Sequence, residues 1–236
     1  MNDSSHVLLV HGGSHGAWCW DSVVAELDAV GISASAFDLP GCGEDMTPRA
    51  HLTLDDYTQA LVEEIDALPA GPVRVVGHSN GGWLLPFAAA ARPEKVAEII
   101  FVAGVALRRN ERGIDMVPPE RRPGYFKLAA QSPDDSLLLT FEAAWQRFFQ
   151  HLSESRAREV YSKLTPNPLG VYLTKARVGV EDVATPRRYI ALTDDLTFPD
   201  PFTAAFAETA GVKREWVEGD HCVMLSAPHN LVAAIS

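Results

Sequence analysis

The chain of 236 residues, 47% hydrophobic and 22% charged, has the length and composition of one large soluble globular domain with a single core. Its formal net charge of −11 argues against nucleic-acid and anionic-membrane partners, which need basic patches, and it disfavours polyanionic substrates. The chain has three cysteines without metal-like spacing, no basic leader sequence and no apolar run long enough to span a membrane. These features predict a cytoplasmic protein. The sequence leaves the oligomeric state open.

From the N-terminus, short apolar or β-branched runs alternate with longer runs of helical pattern. The predicted strands cover residues 7–10, 33–38, 73–77 and 99–103. The predicted helices between them cover residues 18–30, 54–68 and 83–91. In the helix at 54–68, apolar residues recur at intervals of three and four, which marks one buried face. This alternation predicts strand–helix–strand crossovers and therefore a parallel sheet.

The alternation stops after Ala106, and a segment with charged and proline-rich stretches and several helix-like pieces follows. The elements predicted after this segment are a strand at 189–192, a helix at 201–210, a strand at 214–217 and a helix at 227–235. We therefore predict a single domain over residues 1–236, with a core formed by 1–106 and 186–236 and a cap insertion at 107–185.

A predicted strand, a sharp turn and a predicted helix meet at Ser79. The residues at 77–81 read Gly-His-Ser-Asn-Gly, and the apolar run at 83–91 follows directly. The two glycines leave room for a strained serine backbone, whose neighbouring side chains would otherwise collide. Such a turn presents its hydroxyl clear of the sheet at the positive end of a helix, so we predict that Ser79 is a nucleophile and not an ordinary turn serine.

A serine nucleophile needs a base, and in this arrangement the chain order is serine, acid, histidine. His221 lies just after the last predicted strand, at the sheet edge where the turn of Ser79 also lies. Other histidines, expected to be exposed to solvent, are His51, His151 and His229. The sequence therefore predicts His221 as the base.

The acid that orients the base is expected after the strand at 189–192, where Asp194 and Asp195 follow Thr193. Side chains alternate along a strand, so these two carboxylates point in opposite directions if the strand geometry persists. The register at the end of the strand is unknown, and the spacing therefore leaves both residues as candidates.

The loop after the first strand, residues 11–16, reads His-Gly-Gly-Ser-His-Gly. An oxyanion hole needs two backbone N–H groups, which we expect from Asn80, the residue after the nucleophile, and from Gly12 or Gly13, of which Gly13 is preferred. A glycine-rich loop can also bind phosphate, but neither Gly-x-Gly-x-x-Gly nor Gly-Lys-Ser/Thr occurs here. His11 and His15 lie in this loop and not on a helix, with no glutamate beside them, so we predict no metal site.

The substrate pocket is expected between this loop and aromatic residues of the cap. The candidates are Gly12, Ser14, Tyr125, Phe126, Trp145, Phe148 and Phe149. Packing between the cap helices and the core is the alternative for the aromatic residues, because the last three form an apolar stripe at helical spacing.

With these residues in place, the chain resembles the α/β-hydrolases, and among them the group of plant methylesterases and hydroxynitrile lyases. The similarity lies in the loop at 9–18, the turn at 76–82 and the segments at 193–202 and 219–225. The resemblance implies an α/β-hydrolase fold, with a mostly parallel sheet flanked by helices and a helical cap insertion. Alignment with the family also places the acid on Asp195.

The sequence departs from the family pattern at three positions. The lyases have threonine where this chain has Gly12, and lysine where it has Cys222. A thiol cannot supply the positive charge that handles cyanide, so cyanohydrin cleavage is not expected. The methylesterases commonly have leucine where this chain has Asn80, whose amide adds a polar group to the pocket wall.

Together the motifs and the resemblance predict a serine hydrolase that cleaves a small, mostly apolar carboxylic ester through an acyl-enzyme intermediate. We expect a small-molecule substrate and no cofactor. Amide or carbamate hydrolysis by the same three residues stays open, as does a small-molecule binding protein with a hydrolase-like pocket.

Overall fold

A computed structural model gives the structure of residues 6–236, whose elements are numbered along the chain. The strands are β1 (His6–Val10), β2 (Ala34–Ala36), β3 (Val73–His78), β4 (Val96–Val102), β5 (Ser136–Leu137), β6 (Asn167–Pro168), β7 (Arg187–Leu192) and β8 (Arg214–Val217). The α-helices are α1 (Asp21–Ala29), α2 (Leu54–Ala67), α3 (Leu85–Ala91), α4 (Arg122–Ala130), α5 (Phe141–Phe148), α6 (Glu154–Ser162), α7 (Leu169–Leu173), α8 (Asp200–Ala210), α9 (Val223–Ser226) and α10 (Pro228–Ile235). Short 3₁₀ helices lie at Ala17–Trp20, Arg49–His51, Ser79–Leu84, Gly113–Met116 and Val180–Asp182. Every helix over residues 6–236 is too short or too polar to span a lipid bilayer.

The order of strands in the main sheet determines where the functional residues meet. Over residues 6–236 this sheet has six strands in the order β2-β1-β3-β4-β7-β8, and each neighbouring pair is parallel. The chain begins at β1, adds β2 on one side and then crosses to β3 on the other. A crevice forms at the carboxyl ends of the strands where the order reverses, so the loops after β1 and β3 face each other there. The predicted parallel α/β architecture is confirmed.

Apolar side chains cover both faces of the main sheet. Leu8 and Val75 face the layer that contains α2, α3 and α8, whereas Leu9 and Val76 face the layer that contains α1 and α10. All four side chains are fully buried. Parallel strands that are packed on both faces need apolar residues at successive positions, which explains the continuous apolar runs in the sequence.

The strand predicted at 33–38 is shorter in the structure, where β2 covers only Ala34–Ala36. β2 is an edge strand and pairs with β1 alone. Beyond it, the carboxylate of Asp38 accepts hydrogen bonds from the N–H groups of Ala17 (2.6 Å) and Glu44 (2.9 Å), which draws the chain into the neighbouring loops.

Two predicted helices begin with a 3₁₀ segment. The helix predicted at 18–30 starts as a 3₁₀ helix before α1, and the one predicted at 83–91 follows a 3₁₀ helix that begins at Ser79. Regular α-helix begins in the second case only near Pro86, whose fixed φ suits the first turn of a helix.

The segment between β4 and β7 adds no strand to the main sheet, although all of its residues are described. It contains α4 to α7 and a small antiparallel pair, β5 and β6, in which Leu137 lies opposite Asn167. The sequence analysis did not predict these two strands, because two residues are too few to show a period. Helix α7 packs against α2, so this part of the cap is joined to the core next to the crevice.

Candidate active site

Ser79 occupies the sharp turn between β3 and the following 3₁₀ helix. Its φ is +51°, a left-handed conformation that is uncommon for a residue with a side chain. The turn is tight enough that a Cβ atom on Gly77 would lie 2.8 Å from the carbonyl oxygen of Gly81. Glycine is therefore required at position 77, and the turn presents the Ser79 side chain at the carboxyl edge of the sheet.

The structure brings three side chains of the predicted site together in one hydrogen-bonded series. His221 Nε2 lies 3.1 Å from Ser79 Oγ, and His221 Nδ1 lies 2.8 Å from Asp195 Oδ2. All three side chains are buried. The Ser79 hydroxyl donates to Nε2, and the Nδ1–H group donates to the carboxylate, so the imidazole presents a basic nitrogen to the serine.

The carboxylate of Asp195 is held by the backbone as well as by His221. Its Oδ1 atom accepts hydrogen bonds from the N–H groups of Thr197 (2.7 Å) and Phe198 (2.9 Å). Burial raises the pKa of Asp195, but His221 and these two N–H groups outweigh it and hold the pKa below its ordinary value. Asp195 is therefore ionised at neutral pH.

Asp194, the other candidate, lies on the opposite side of the strand end and is exposed to solvent. Its side chain accepts a hydrogen bond from the Thr193 hydroxyl (3.1 Å), and its carbonyl oxygen accepts one from the Gln150 amide (2.6 Å). The choice that spacing left open is therefore made by the direction in which the chain turns after β7.

Buried neutral histidines surround the base. His78 Nε2–H donates to the carbonyl oxygen of His221 (2.8 Å), and His15 Nδ1–H donates to that of Gly13 (2.8 Å). Burial lowers the pKa of His78 well below its ordinary value and lowers that of His15 to about 4. Both rings are therefore uncharged at neutral pH. Within residues 6–236, no three His, Cys, Asp or Glu side chains lie close enough together to hold a metal ion.

The loop after β1 contacts the cap beside Ser79. The Ser14 N–H group donates to Asn167 Oδ1 (3.1 Å), and the Ser14 carbonyl oxygen accepts from the Thr165 N–H group (2.9 Å). Gly13 lies so close to the Asn167 amide that an added side chain would collide with it. The loop is therefore held in a fixed position, with Gly13 and Asn80 both in the wall of the pocket that contains Ser79.

A polar cluster of Asn80, Asn167 and Tyr172 lies against this loop, and sequence reasoning missed two of its members. The Tyr172 hydroxyl accepts hydrogen bonds from the Asn80 amide (2.6 Å) and the Asn167 amide (3.0 Å). Burial raises the pKa of Tyr172, so the phenol is neutral. The one signal in the sequence was the polar residue at position 80, which needs a partner when it is buried.

The main pocket opens between the carboxyl edge of the sheet and the cap, and its wall is mostly apolar. The apolar residues of this wall are Trp83, Val105, Met116, Val117, Pro118, Leu128, Leu137, Leu139, Phe148, Phe198 and Phe202. Ser14 and Tyr125 line the pocket as predicted, and so does Phe148. Of the other apolar wall residues, six come from the cap, and Trp83, Val105, Phe198 and Phe202 come from the core.

Four predicted pocket residues lie elsewhere. Phe126 is 45% exposed, because α4 turns it away from the pocket. Trp145 and Phe149 belong to the apolar cluster on the α1 and α10 face of the sheet, to which α5 and α6 also contribute, and the Trp145 indole N–H donates to the carbonyl oxygen of Leu152 (3.1 Å). Gly12 packs behind the Cβ atom of Ser79 and lines a smaller cavity next to the pocket.

Comparisons with known proteins agree with the resemblance seen in the sequence. The sequence profile of the alpha/beta hydrolase family matches residues 7–234. Putative methylesterase 12, chloroplastic, of Arabidopsis thaliana is 31% identical over 240 residues, which cover 95% of this chain and 68% of that protein. Salicylic acid-binding protein 2 of Nicotiana tabacum is 30% identical over 260 residues, which cover 100% of this chain and 97% of that protein.

A solved structure shows the same fold. The extracellular alpha/beta-hydrolase from a Paenibacillus species superposes with a TM-score of 0.89 at 22% identity. The superposition covers 98% of this chain and 97% of that one, so the similarity includes the cap as well as the sheet.

Proposed function

The chain belongs to the alpha/beta hydrolase family, in the group similar to plant methylesterases, and we therefore propose that it is a serine hydrolase that cleaves a small, mostly apolar carboxylic ester. The observation that carries this proposal is the hydrogen-bonded series of Ser79, His221 and Asp195 in the wall of a largely apolar pocket. The methylesterases among the relatives favour a methyl ester as the substrate.

The first half of the reaction forms an acyl-enzyme. Ser79 Oγ attacks the ester carbonyl carbon while His221 Nε2 takes the hydroxyl proton. Asp195 keeps the proton of Nδ1 in place and stabilises the imidazolium that forms. The N–H groups of Gly13 and Asn80 bind the negative oxygen of the tetrahedral intermediate, and each contributes about 3 kcal/mol. His221 then gives its proton to the departing alkoxide, and the alcohol leaves.

The second half repeats these steps with water. His221 takes a proton from water, the hydroxide oxygen attacks the acyl carbon, and the proton returns to Ser79 Oγ as the carboxylic acid leaves. These groups suffice for hydrolysis, so the proposal includes no cofactor.

The residue after His221 supports hydrolysis over cyanohydrin cleavage. Cys222 is fully buried, and burial raises the pKa of its thiol well above the ordinary value. Its Sγ atom lies 3.4 Å from His15 Nε2, to which the thiol donates. A neutral thiol therefore stands where the lyase reaction needs a cation.

The test is the hydrolysis of p-nitrophenyl acetate and p-nitrophenyl butyrate by the purified protein and by Ser79→Ala, with a fluorophosphonate label as a second readout. We expect both turnover and labelling to disappear in the variant, because the nucleophilic oxygen is gone.

Ser162→Ala is the matched control, since this hydroxyl is exposed on α6 and bonds only to its own helix. It should keep full turnover and labelling. Ester hydrolysis that survives in Ser79→Ala would falsify the proposal.

A further inference from the structure

Two arginines of the cap, Arg121 and Arg147, line the main pocket. Arg147 is half-buried near the end of α5, and Arg121 is exposed just before α4. The wall formed by residues of the described chain contains these two cations and no Asp or Glu side chain. The local charge of the pocket is therefore positive, although the whole chain has a formal net charge of −11.

Neither guanidinium group makes a hydrogen bond or an ion pair within residues 6–236, where most other arginines make one; the Arg147 guanidinium lies 6.0 Å from the centre of the Phe148 ring. The arginines paired with a carboxylate are Arg49, Arg92, Arg109, Arg112, Arg156, Arg158, Arg177, Arg188 and Arg214. Those whose side chains donate to backbone carbonyl oxygens are Arg74, Arg122 and Arg187. A half-buried guanidinium beside apolar side chains is desolvated, and an anion with two oxygens offsets that cost best.

The two arginines line the same pocket as the nucleophile, Ser79. Arg121, Arg147 and Tyr125 line the same pocket, and burial raises the pKa of the Tyr125 phenol, whereas the two cations lower it. The Tyr125 ring packs against Tyr172 at 5.6 Å between centroids, and the Tyr172 hydroxyl bonds to Asn80, the neighbour of Ser79. A ligand with one end at Ser79 can therefore extend past Tyr172 and bring its other end to the cations.

We propose that the pocket binds an ester whose apolar body ends in a carboxylate, and that Arg121 and Arg147 bind this carboxylate while the ester group lies at Ser79. The substrate class is the half-ester of an apolar dicarboxylic acid. Apolar side chains such as Val117 and Leu128 contact the body of the substrate. This inference rests on the proposed ester hydrolysis and specifies its substrate.

The experiment compares monomethyl suberate, which is anionic at pH 7.5, with dimethyl suberate, which has the same chain length and no charge. The measured quantity is the ratio of kcat/KM for the half-ester to kcat/KM for the diester. We expect a ratio above ten for the wild-type protein and a fall of about tenfold or more in the double variant Arg121→Gln, Arg147→Gln, because a charge-assisted hydrogen bond is lost. If dimethyl suberate is not turned over, the inhibition constants of the two esters against p-nitrophenyl acetate are compared instead; a half-ester that is not turned over by an active enzyme overturns the inference.

Arg108→Gln is the matched control, since Arg108 is exposed, makes no side-chain hydrogen bond within residues 6–236 and lies outside the pocket. This variant should keep the wild-type ratio, and Arg147→Lys should keep part of it because the charge remains. A wild-type ratio near one, or a ratio that the double variant leaves unchanged, overturns the inference while ester hydrolysis by Ser79 still stands. Hydrolysis of p-nitrophenyl acetate that does not depend on Ser79 overturns the proposed function and the inference with it.

Discussion

At the scale of single residues, Asp195 shows how the backbone fixes the direction of a side chain. One carboxylate oxygen accepts hydrogen bonds from two N–H groups of the loop after β7, and the other oxygen faces His221 Nδ1. Because each oxygen has its own donors, the carboxylate cannot rotate so that its two oxygens exchange positions. The residue therefore supplies both a negative charge and an acceptor in a defined place, and the tautomer of His221 follows from it.

Asp195→Asn should lower kcat for p-nitrophenyl acetate by about 10³- to 10⁴-fold. The N–H groups of Thr197 and Phe198 will hold the amide oxygen at the position of Oδ1, so the amide NH₂ faces His221 Nδ1. The imidazole must then carry its proton on Nε2, where it cannot accept one from Ser79. Steady-state kinetics at pH 7.5 measures the effect. Asp194→Asn is the control, and an equal loss in both variants would contradict the assignment.

At the scale of secondary-structure elements, the cap holds the loop after β1. Asn167 in β6 and Tyr172 in α7 contact Ser14 and Asn80, which lie in the loop after β1 and the turn after β3. Sequence periodicity predicted the core strands and helices, because each is a local pattern. It could not predict this contact, because β6 is two residues long and the hydrogen bonds join Ser14 to Asn167 across 153 positions and Asn80 to Tyr172 across 92 positions of the chain.

Tyr172→Phe should destabilise the protein by about 1–3 kcal/mol, because the buried Asn167 amide and the half-buried Asn80 amide lose their shared acceptor. We also expect a lower kcat/KM, since Asn80 carries one of the two proposed oxyanion N–H groups. Urea unfolding and p-nitrophenyl acetate kinetics measure the two effects. Tyr189→Phe serves as a control, because this buried hydroxyl bonds to no other group within residues 6–236. The role of the cluster is refuted if Tyr172→Phe matches Tyr189→Phe in both measurements.

At the scale of the whole molecule, buried histidines couple stability to pH. His11, His15 and His78 are buried around the crevice, and burial lowers the pKa of all three. The unfolded chain has histidines of ordinary pKa, 6.5, so it binds more protons than the folded chain below that pH. Acid therefore favours unfolding. Asp195 adds little above about pH 5, because the lowering of its pKa affects stability only where the carboxyl of the unfolded chain, with the ordinary pKa of 3.8, takes up protons.

The free energy of unfolding should fall as the pH drops from 6.5 to 4, by on the order of 3 kcal/mol for His15 alone, whose folded pKa is about 4. Urea unfolding at pH 7.0 and pH 5.0 measures this fall. His15→Gln should show a smaller difference between the two pH values, whereas the exposed His229→Gln should keep the wild-type difference. Equal stability of the wild-type protein at both pH values would refute this prediction.

The cytoplasmic location and the core–cap boundaries stay predictions. The relatives include a protein named as chloroplastic and one described as extracellular, so membership of the family does not fix a compartment. Fractionation of cells that express the tagged chain would decide the location.

Periodicity, glycine spacing and chain order are readable along the chain, and they were enough to predict the parallel sheet, the strained turn at Ser79 and His221 as the candidate base. Through family resemblance the sequence also selected Asp195. The side chains that form the pocket are known from the folded chain alone. Phe148 faces the pocket while its neighbour Phe149 is buried in the apolar cluster on the α1 and α10 face of the sheet, and Tyr172 joins Asn80 to the cap. The directions of cap residues depend on contacts between distant segments, which no local pattern in the chain encodes.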